Sequence, residues 1–491
     1  MGTTSGSSSS NHGTKDTQIS APRRFLVHFR RPIKGGYNGS YGFDWLRDEY
    51  IYDIKKVVQA GSKPKRFYRG NVHDLIKEYT TLKPGNSTLS EVTEIGNTSE
   101  AYVPAWLGIF PDRSEVELYL QIDQLTTDDN KPLSSNDSTV LEFSTSPGIV
   151  VSPTKIALKK LITKGQKSRK LVRSGEQTDG ENGYSRNIKY YVDESIKINI
   201  KATSSSNKAR FIKVIAKRGK YQRKVGVLMI YPNRDIPNAD IVIVHLCTKS
   251  GATTVPTPPA YQHYLKYRSF NQALVRGEVK GISWLNLIDE KNNHSLLSTK
   301  GKALHKFLLK YPPNTNVSRS EGSNLKKDIV KLYELFSEKY VPSGGIEGTN
   351  NNNKTFVIFT DYKVKTGIYT TLGSAQAREK NMVENLFDCT FNDDCFSKVW
   401  GNAVVLFDKG NIQLDTFAHE LGHSFSLPHT FSSSSLTRHS FYQGYTDNLM
   451  DYSYLLDRTG KESGGTNPYK HHMWSLFKWQ WDLLRKDQSI K

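Results

Sequence analysis

Apolar positions in the second half of the chain follow two periods in turn, and the alternation lays out strands and helices. Ile241-Val242-Ile243-Val244-His245-Leu246 and Lys354-Thr355-Phe356-Val357-Ile358-Phe359-Thr360 are short, nearly continuous apolar runs, the pattern of core strands in one sheet. Between them, Ile329, Leu332, Leu335 and Phe336 recur at helical spacing within Ser323 to Tyr340. Val404-Val405-Leu406-Phe407 is a further β-type run, Asp408-Lys409-Gly410-Asn411 reads as a turn, and Leu414, Phe417, Leu421 and Phe425 return to the helical period. That helix should end near Ser424 to Ser426, because Pro428 cannot continue it. His471 to Leu484 reads as an aromatic-rich helix packed on the same body. His471 and His472 are adjacent, point to different helix faces and are expected at the surface.

The first half has another texture. Met1 to Gln18 is rich in Ser, Thr and Gly, has no apolar core and is expected to be disordered. Arg24 to Arg30 and Val116 to Asp123 alternate as strands, with a helical stretch near Val72 to Tyr79. Further strand signals separated by polar turns follow at Gly148 to Val151, Ser195 to Ile200, Ala209 to Ala216 and Lys224 to Tyr231. Their spacing suggests an immunoglobulin-like sandwich without paired cysteines. Two aromatic-dense segments, Tyr41 to Arg47 and Pro104 to Pro111, are read as core anchors, with a docking surface as the alternative. The chain is therefore expected to be α+β and multidomain: a disordered tail over 1–20, a β-rich domain over 21–139, the sandwich over 140–237, and a mixed-sheet domain over 238–491.

Composition narrows the class. A 491-residue chain with 36% hydrophobic residues can bury real cores. The net charge of +20 is uneven: residues 1–235 hold 38 basic and 24 acidic side chains, and the remainder holds 30 and 24. Lys164, Lys167, Arg169, Lys170 and Arg173 crowd one polar stretch that could meet an anionic partner. No nucleic-acid motif accompanies them, so specific nucleic-acid binding is not expected. Three cysteines, Cys247, Cys389 and Cys395, exclude a disulfide-built scaffold; the last two could be bridged or reduced. Asp393 and Asp394 lie without EF-hand spacing and read as a solvated loop. No apolar stretch has the length of a transmembrane helix, and the N-terminus has no Sec-type h-region, so any export is expected by another route.

The densest chemistry lies in His419-Glu420-Leu421-Gly422-His423-Ser424-Phe425-Ser426-Leu427-Pro428-His429. Residues four apart on a helix share a face, so His419 and His423 can offer imidazole nitrogens to one ion, and a sharp turn could add His429. Three neutral imidazoles leave a fourth position open, the arrangement of catalytic rather than structural zinc. Glu420 sits beside the first ligand, where it can reach a metal-bound water without being a ligand itself.

The pattern HExxHxxxxxH, followed by Thr446-Asp447-Asn448-Leu449-Met450-Asp451-Tyr452-Ser453, resembles the zinc site and Met-turn of the metzincin metallopeptidases, closest to their pappalysin-like and cytophagalysin-like branch. The resemblance implies a metzincin-like catalytic domain with Zn2+ as cofactor and a protein or peptide as substrate. By it His419, His423 and His429 are ligands, Glu420 is the general base and Met450 is the hydrophobic floor. Tyr452 matches a tyrosine that approaches the metal or oxyanion in some members; local packing is the equal alternative. An edge strand pairs with extended substrate in such enzymes, so Ala403 to Phe407 is a candidate edge, with an interior strand as the alternative. One departure is Ser426, where members usually carry glycine because the turn wants a positive φ.

The N-terminal segments "YGFDWLRDEY" and "PAWLGIFP" weakly resemble bacterial proteins of contractile-injection or type VI-like secretion. That likeness implies an exported effector or toxin, cytoplasmic before export, with a secretion apparatus as possible partner. Two other functions stay open: a zinc-binding pseudoenzyme or adaptor, and a zinc hydrolase of cell-wall amide bonds.

Overall fold

The structure, a computed structural model, describes residues 24–32, 37–82, 88–93, 95, 102–111, 115–125, 133, 136–164, 170–173, 186–192, 196–340, 354–366, 369–377, 401–433, 437–487 and 489–490. The expectations for Met1 to Gln18, Lys167, Arg169, Cys389, Asp393, Asp394 and Cys395 lie outside the described residues. Cys247 is buried and free.

Five strands of the second half form one sheet in the order Arg276–Asn286, Asn238–Cys247, Lys354–Thr360, Gly401–Leu406, Gly373–Ala377. The first four run parallel and the last is antiparallel to its neighbour. Alternate residues of each strand feed opposite cores. Val242, Val244, Phe356, Ile358 and Val405 pack with Leu304, Ile329 and Tyr333 of the helices Thr299–Lys310 and Gly322–Tyr340. Ile241, Ile243, Val357 and Val404 pack with Phe417 and Leu421 of the helix Leu414–Ser424. Burial on both faces is why these strands read as continuous apolar runs.

Two expectations need correction here. The run Ala403 to Phe407 belongs to an interior strand; the edge is Gly373–Ala377, whose small and polar residues carry no hydrophobic signal. The C-terminal helix spans only Lys478–Leu484. Ahead of it Ser475 spends its backbone groups on the loop at 447–449, donating to Asp447 O (3.0 Å) and accepting from Leu449 N–H (2.7 Å), so the segment is extended there. His471 and His472 are exposed, as expected.

Two six-stranded sheets make up most of the first half. In one, Val116–Leu125 pairs with Phe25–Arg30, Arg186–Val192 and Ile198–Ala202. In the other, Ala105–Gly108 runs parallel to Tyr221–Ile230, which pairs with Arg210–Arg218. Leu118, Leu120 and Ile122 of the first sheet and Leu107, Val214 and Leu228 of the second share one core. Strands from either side of residue 140 are therefore neighbours in both sheets, and residues 140–237 do not close a sandwich of their own. Periodicity found the strands but carries no information on distant partners.

The two halves are joined through one interior. An apolar cluster runs from Tyr50, Phe67 and Trp106 through Ile241 and Ile243 to Met450, Leu476 and Trp481. Phe43 and Trp106 of the aromatic segments are fully buried, which makes them core anchors. Two buried ion clusters reinforce the contact. Asp447 Oδ2 accepts from Arg31 Nη2 (2.5 Å) and Arg47 Nη2 (2.7 Å). Glu78 meets Arg438 (3.2 Å), His439 (3.4 Å) and Lys478 (3.5 Å). Among the described residues no helix is long and apolar enough to cross a membrane.

Candidate metal centre

The helix Leu414–Ser424 buries Phe417, Ala418 and Leu421 against the sheet, which turns His419, Glu420 and His423 toward the cleft side. It ends in a paired closure: Leu427 N–H bonds to Gly422 O (2.9 Å) and Ser426 N–H to His423 O (3.1 Å), the two bonds of a left-handed C-terminal cap. Ser426 occupies the left-handed position of that cap with φ 66°, the conformation expected of it from sequence. The reversal brings His429 back over the helix.

The three Nε2 atoms converge, at 3.1 Å for His419 and His423, 3.2 Å for His419 and His429, and 3.0 Å for His423 and His429. His419 Nδ1–H donates to Leu449 O and His423 Nδ1–H to Leu427 O, each at 2.8 Å. A carbonyl can only accept, so both rings carry their proton on Nδ1 and point the Nε2 lone pair inward. Lone pairs this close repel one another unless a cation lies between them. Tetrahedral zinc with Zn–N of about 2.0–2.1 Å sets its ligands roughly 3.3 Å apart, so the triangle fits that ion with little adjustment. Burial lowers the pKa of all three imidazoles, and the neighbouring rings lower those of His423 and His429 further, His429 to about 3. They are neutral, metal-ready bases at neutral pH.

Glu420 stands beside this triangle. Burial raises its carboxyl to about 7, against the opposing pull of the Ala375 N–H and of Lys326. Ala375 is in the edge strand, and its carbonyl accepts from Lys326 Nζ at 2.6 Å. Gly373, on the same strand, is a close approach: a Cβ there would lie 2.7 Å from Glu420 Cγ. Ala375, Gly373 and Lys326 escaped the sequence reading because none belongs to a motif; Lys326 lies on the helix Gly322–Tyr340, more than ninety positions away from Glu420.

Beneath the triad Met450 is fully buried. Its turn is held by Asn448, whose Oδ1 accepts from Met450 N–H (2.8 Å), and by Asp451, whose carboxylate accepts from Gly444, Thr446 and Tyr452 N–H. Tyr452 lies with its ring centroid 4.8 Å from that of His429 and 5.8 Å from that of His419. Phe431 stacks on His429 at 4.8 Å and also meets Tyr452 at 4.9 Å, contacts the sequence did not announce. Tyr452 thus packs directly on two of the candidate ligands.

Four parallel strands with an antiparallel edge strand, a helix bearing two histidines, a reversal to a third and a methionine turn below them meet at one candidate metal site. Residues 311–462 match the family model Reprolysin_5, metallo-peptidase family M12, a segment that holds the histidine triad, Glu420, Met450 and Tyr452. No curated protein matches the chain.

Proposed function

We propose that this chain is a zinc-dependent metalloendopeptidase, with His419, His423 and His429 as ligands and Glu420 as general base. The carrying observation is the convergence of three Nε2 atoms, two of them with inward lone pairs fixed by Nδ1–H bonds to carbonyls, beside the half-buried carboxylate of Glu420. A zinc ion held there supplies Lewis acidity toward a peptide carbonyl and makes water a better acid.

The chain's own residues account for the rest. An extended substrate lies along the edge strand Gly373–Ala377, whose outer side carries no further strand among the described residues. Glu420 removes a proton from water as its oxygen bonds to the scissile carbon, then hands that proton to the nitrogen as the C–N bond breaks. A carboxyl near neutrality suits both transfers, and its burial creates that poise. Tyr452, whose ring packs against His419 and His429, steadies the developing oxyanion in this reading. Met450 closes the floor against water.

An exported effector or toxin role is part of the same proposal and rests on the likeness of the segments at 41–50 and 104–111 alone.

The test compares the purified chain with Glu420→Ala for zinc content and for cleavage of a broad peptide library. One zinc per chain in both, with cleavage reduced about 10²–10⁴-fold in the variant, is expected. Bound zinc with no cleavage of any peptide by the wild type would favour the adaptor or cell-wall reading, and lack of stoichiometric zinc would overturn the proposal.

A further inference from the structure

We propose that Asp487, near the C-terminus, is a positioning residue of the metal centre: through Ser426 it holds the left-handed turn that delivers His429. This rests on the metallopeptidase reading and adds to it a part of the chain that lies outside the matched segment 311–462.

Three observations lead to it. Ser426 sits at φ 66°, where a side chain crowds its own backbone and glycine is normally found. Its hydroxyl is not solvated: Ser426 is 5% exposed and Oγ donates to Asp487 Oδ2 at 2.6 Å. Asp487 is 2% exposed and its other oxygen accepts from Ser489 N–H (2.9 Å) and Ser489 Oγ (2.6 Å), so the carboxylate is itself fixed. Ile490 then pairs with Ala239, the second residue of the strand Asn238–Cys247. The tail is thereby anchored to the central sheet, and Asp487 is presented to Ser426 from a rigid base.

The geometry explains how a serine serves where glycine is the simpler choice. A charge-assisted hydrogen bond to a buried carboxylate is among the stronger kinds, and Ser426 makes it in its left-handed conformation. The same turn sets both His423, whose Nδ1 bonds to Leu427 O, and His429, three residues beyond Ser426. Loosening it moves two of the three ligands together.

The experiment is a set of four variants, Ser426→Ala, Ser426→Gly, Asp487→Ala and Ser426→Gly with Asp487→Ala, read by zinc affinity in chelator competition and by urea unfolding. Ser426→Ala keeps the tail contacts of Asp487 intact and keeps the strained φ, so it isolates the latch even where Asp487→Ala fails to fold. Ser426→Ala and Asp487→Ala should each weaken zinc binding about tenfold, as loss of a group that orients metal ligands does. Ser426→Gly should bind like the wild type, and the double variant should recover most of the affinity, because glycine adopts the turn unaided. A tail that merely stabilises the fold would not be rescued by glycine at 426. Unchanged affinity in Ser426→Ala, or a double variant no tighter than Asp487→Ala, overturns the latch while leaving the peptidase reading in place. If the wild type binds no zinc the peptidase reading falls. The latch is then decided by unfolding alone: rescue of Asp487→Ala by glycine supports it and additivity overturns it.

Discussion

Gly422 and Met450 are in direct contact beneath the candidate metal centre: a Cβ built on Gly422 would come within 2.6 Å of Met450 Sδ and 3.3 Å of its Cε. The glycine between the two helical histidines is therefore a packing requirement of the methionine turn. Met450 has no exposed surface into which it could withdraw.

Gly422→Ala should accordingly disturb the site despite alanine's higher helix propensity. Overpacking of a filled core costs about 1–3 kcal/mol, while Gly to Ala within a helix returns roughly 1 kcal/mol. A net loss of about 1 kcal/mol is expected by urea unfolding, with a larger effect on zinc affinity, since Met450 must shift beneath the ligands.

The ion cluster around Asp447 ties the first half of the chain to the methionine turn. Burial opposes ionisation of Asp447, yet Arg47 and Arg31 outweigh it and hold the carboxyl below its usual value. Asp447→Ala takes the nearest carboxylate from two buried guanidinium groups, leaving Arg31 with Ser475 Oγ (2.6 Å) and Arg47 with Asp44 Oδ1 (3.6 Å), and should destabilise the protein by about 3 kcal/mol. Thermal unfolding checks this. The loss should be shared by the metal site, because Asp447 lies three residues before Met450 and its carbonyl also holds Ser475.

Glu78 gives a pH dependence with a definite sign. Burial by itself would raise its pKa, but Lys478, His439 and Arg438 lower it to about 2 from 4.5. A carboxyl depressed in the folded state contributes stability that is fully present above its unfolded pKa and is lost as pH falls through its folded value. Glu78→Gln should therefore be less stable than wild type at pH 7, and the gap should narrow between about 4.5 and 2. A difference in unfolding free energy that stays constant across that window would contradict the assignment.

Metal removal should act on stability as well as activity. A ligand that binds only the folded state stabilises it by about 2.7 kcal/mol at one hundred times its dissociation constant. Chelator treatment is expected to lower the melting temperature of the wild type and leave that of His429→Ala almost unchanged, since two imidazoles make a weak site. Equal responses of the two proteins would argue against His429 as a ligand.

The sequence by itself determined the candidate residues of the centre and most of its local structure. The helix end near Ser424 to Ser426, the left-handed conformation of Ser426 and strands at 241–246 and 354–360 follow from spacing, glycine preference and apolar period, all contained within short windows. The tertiary structure decided what depends on contacts between distant residues. That Gly373–Ala377 rather than 403–407 forms the sheet edge, that Lys326 reaches Ala375, that strands across residue 140 interleave, and that Asp487 anchors Ser426 are pairings with no local signature. Periodicity records which face of an element is buried; it does not record against what. The candidate ligands and general base lie within 419–429, whereas residues that hold them in register come from distant parts of the chain.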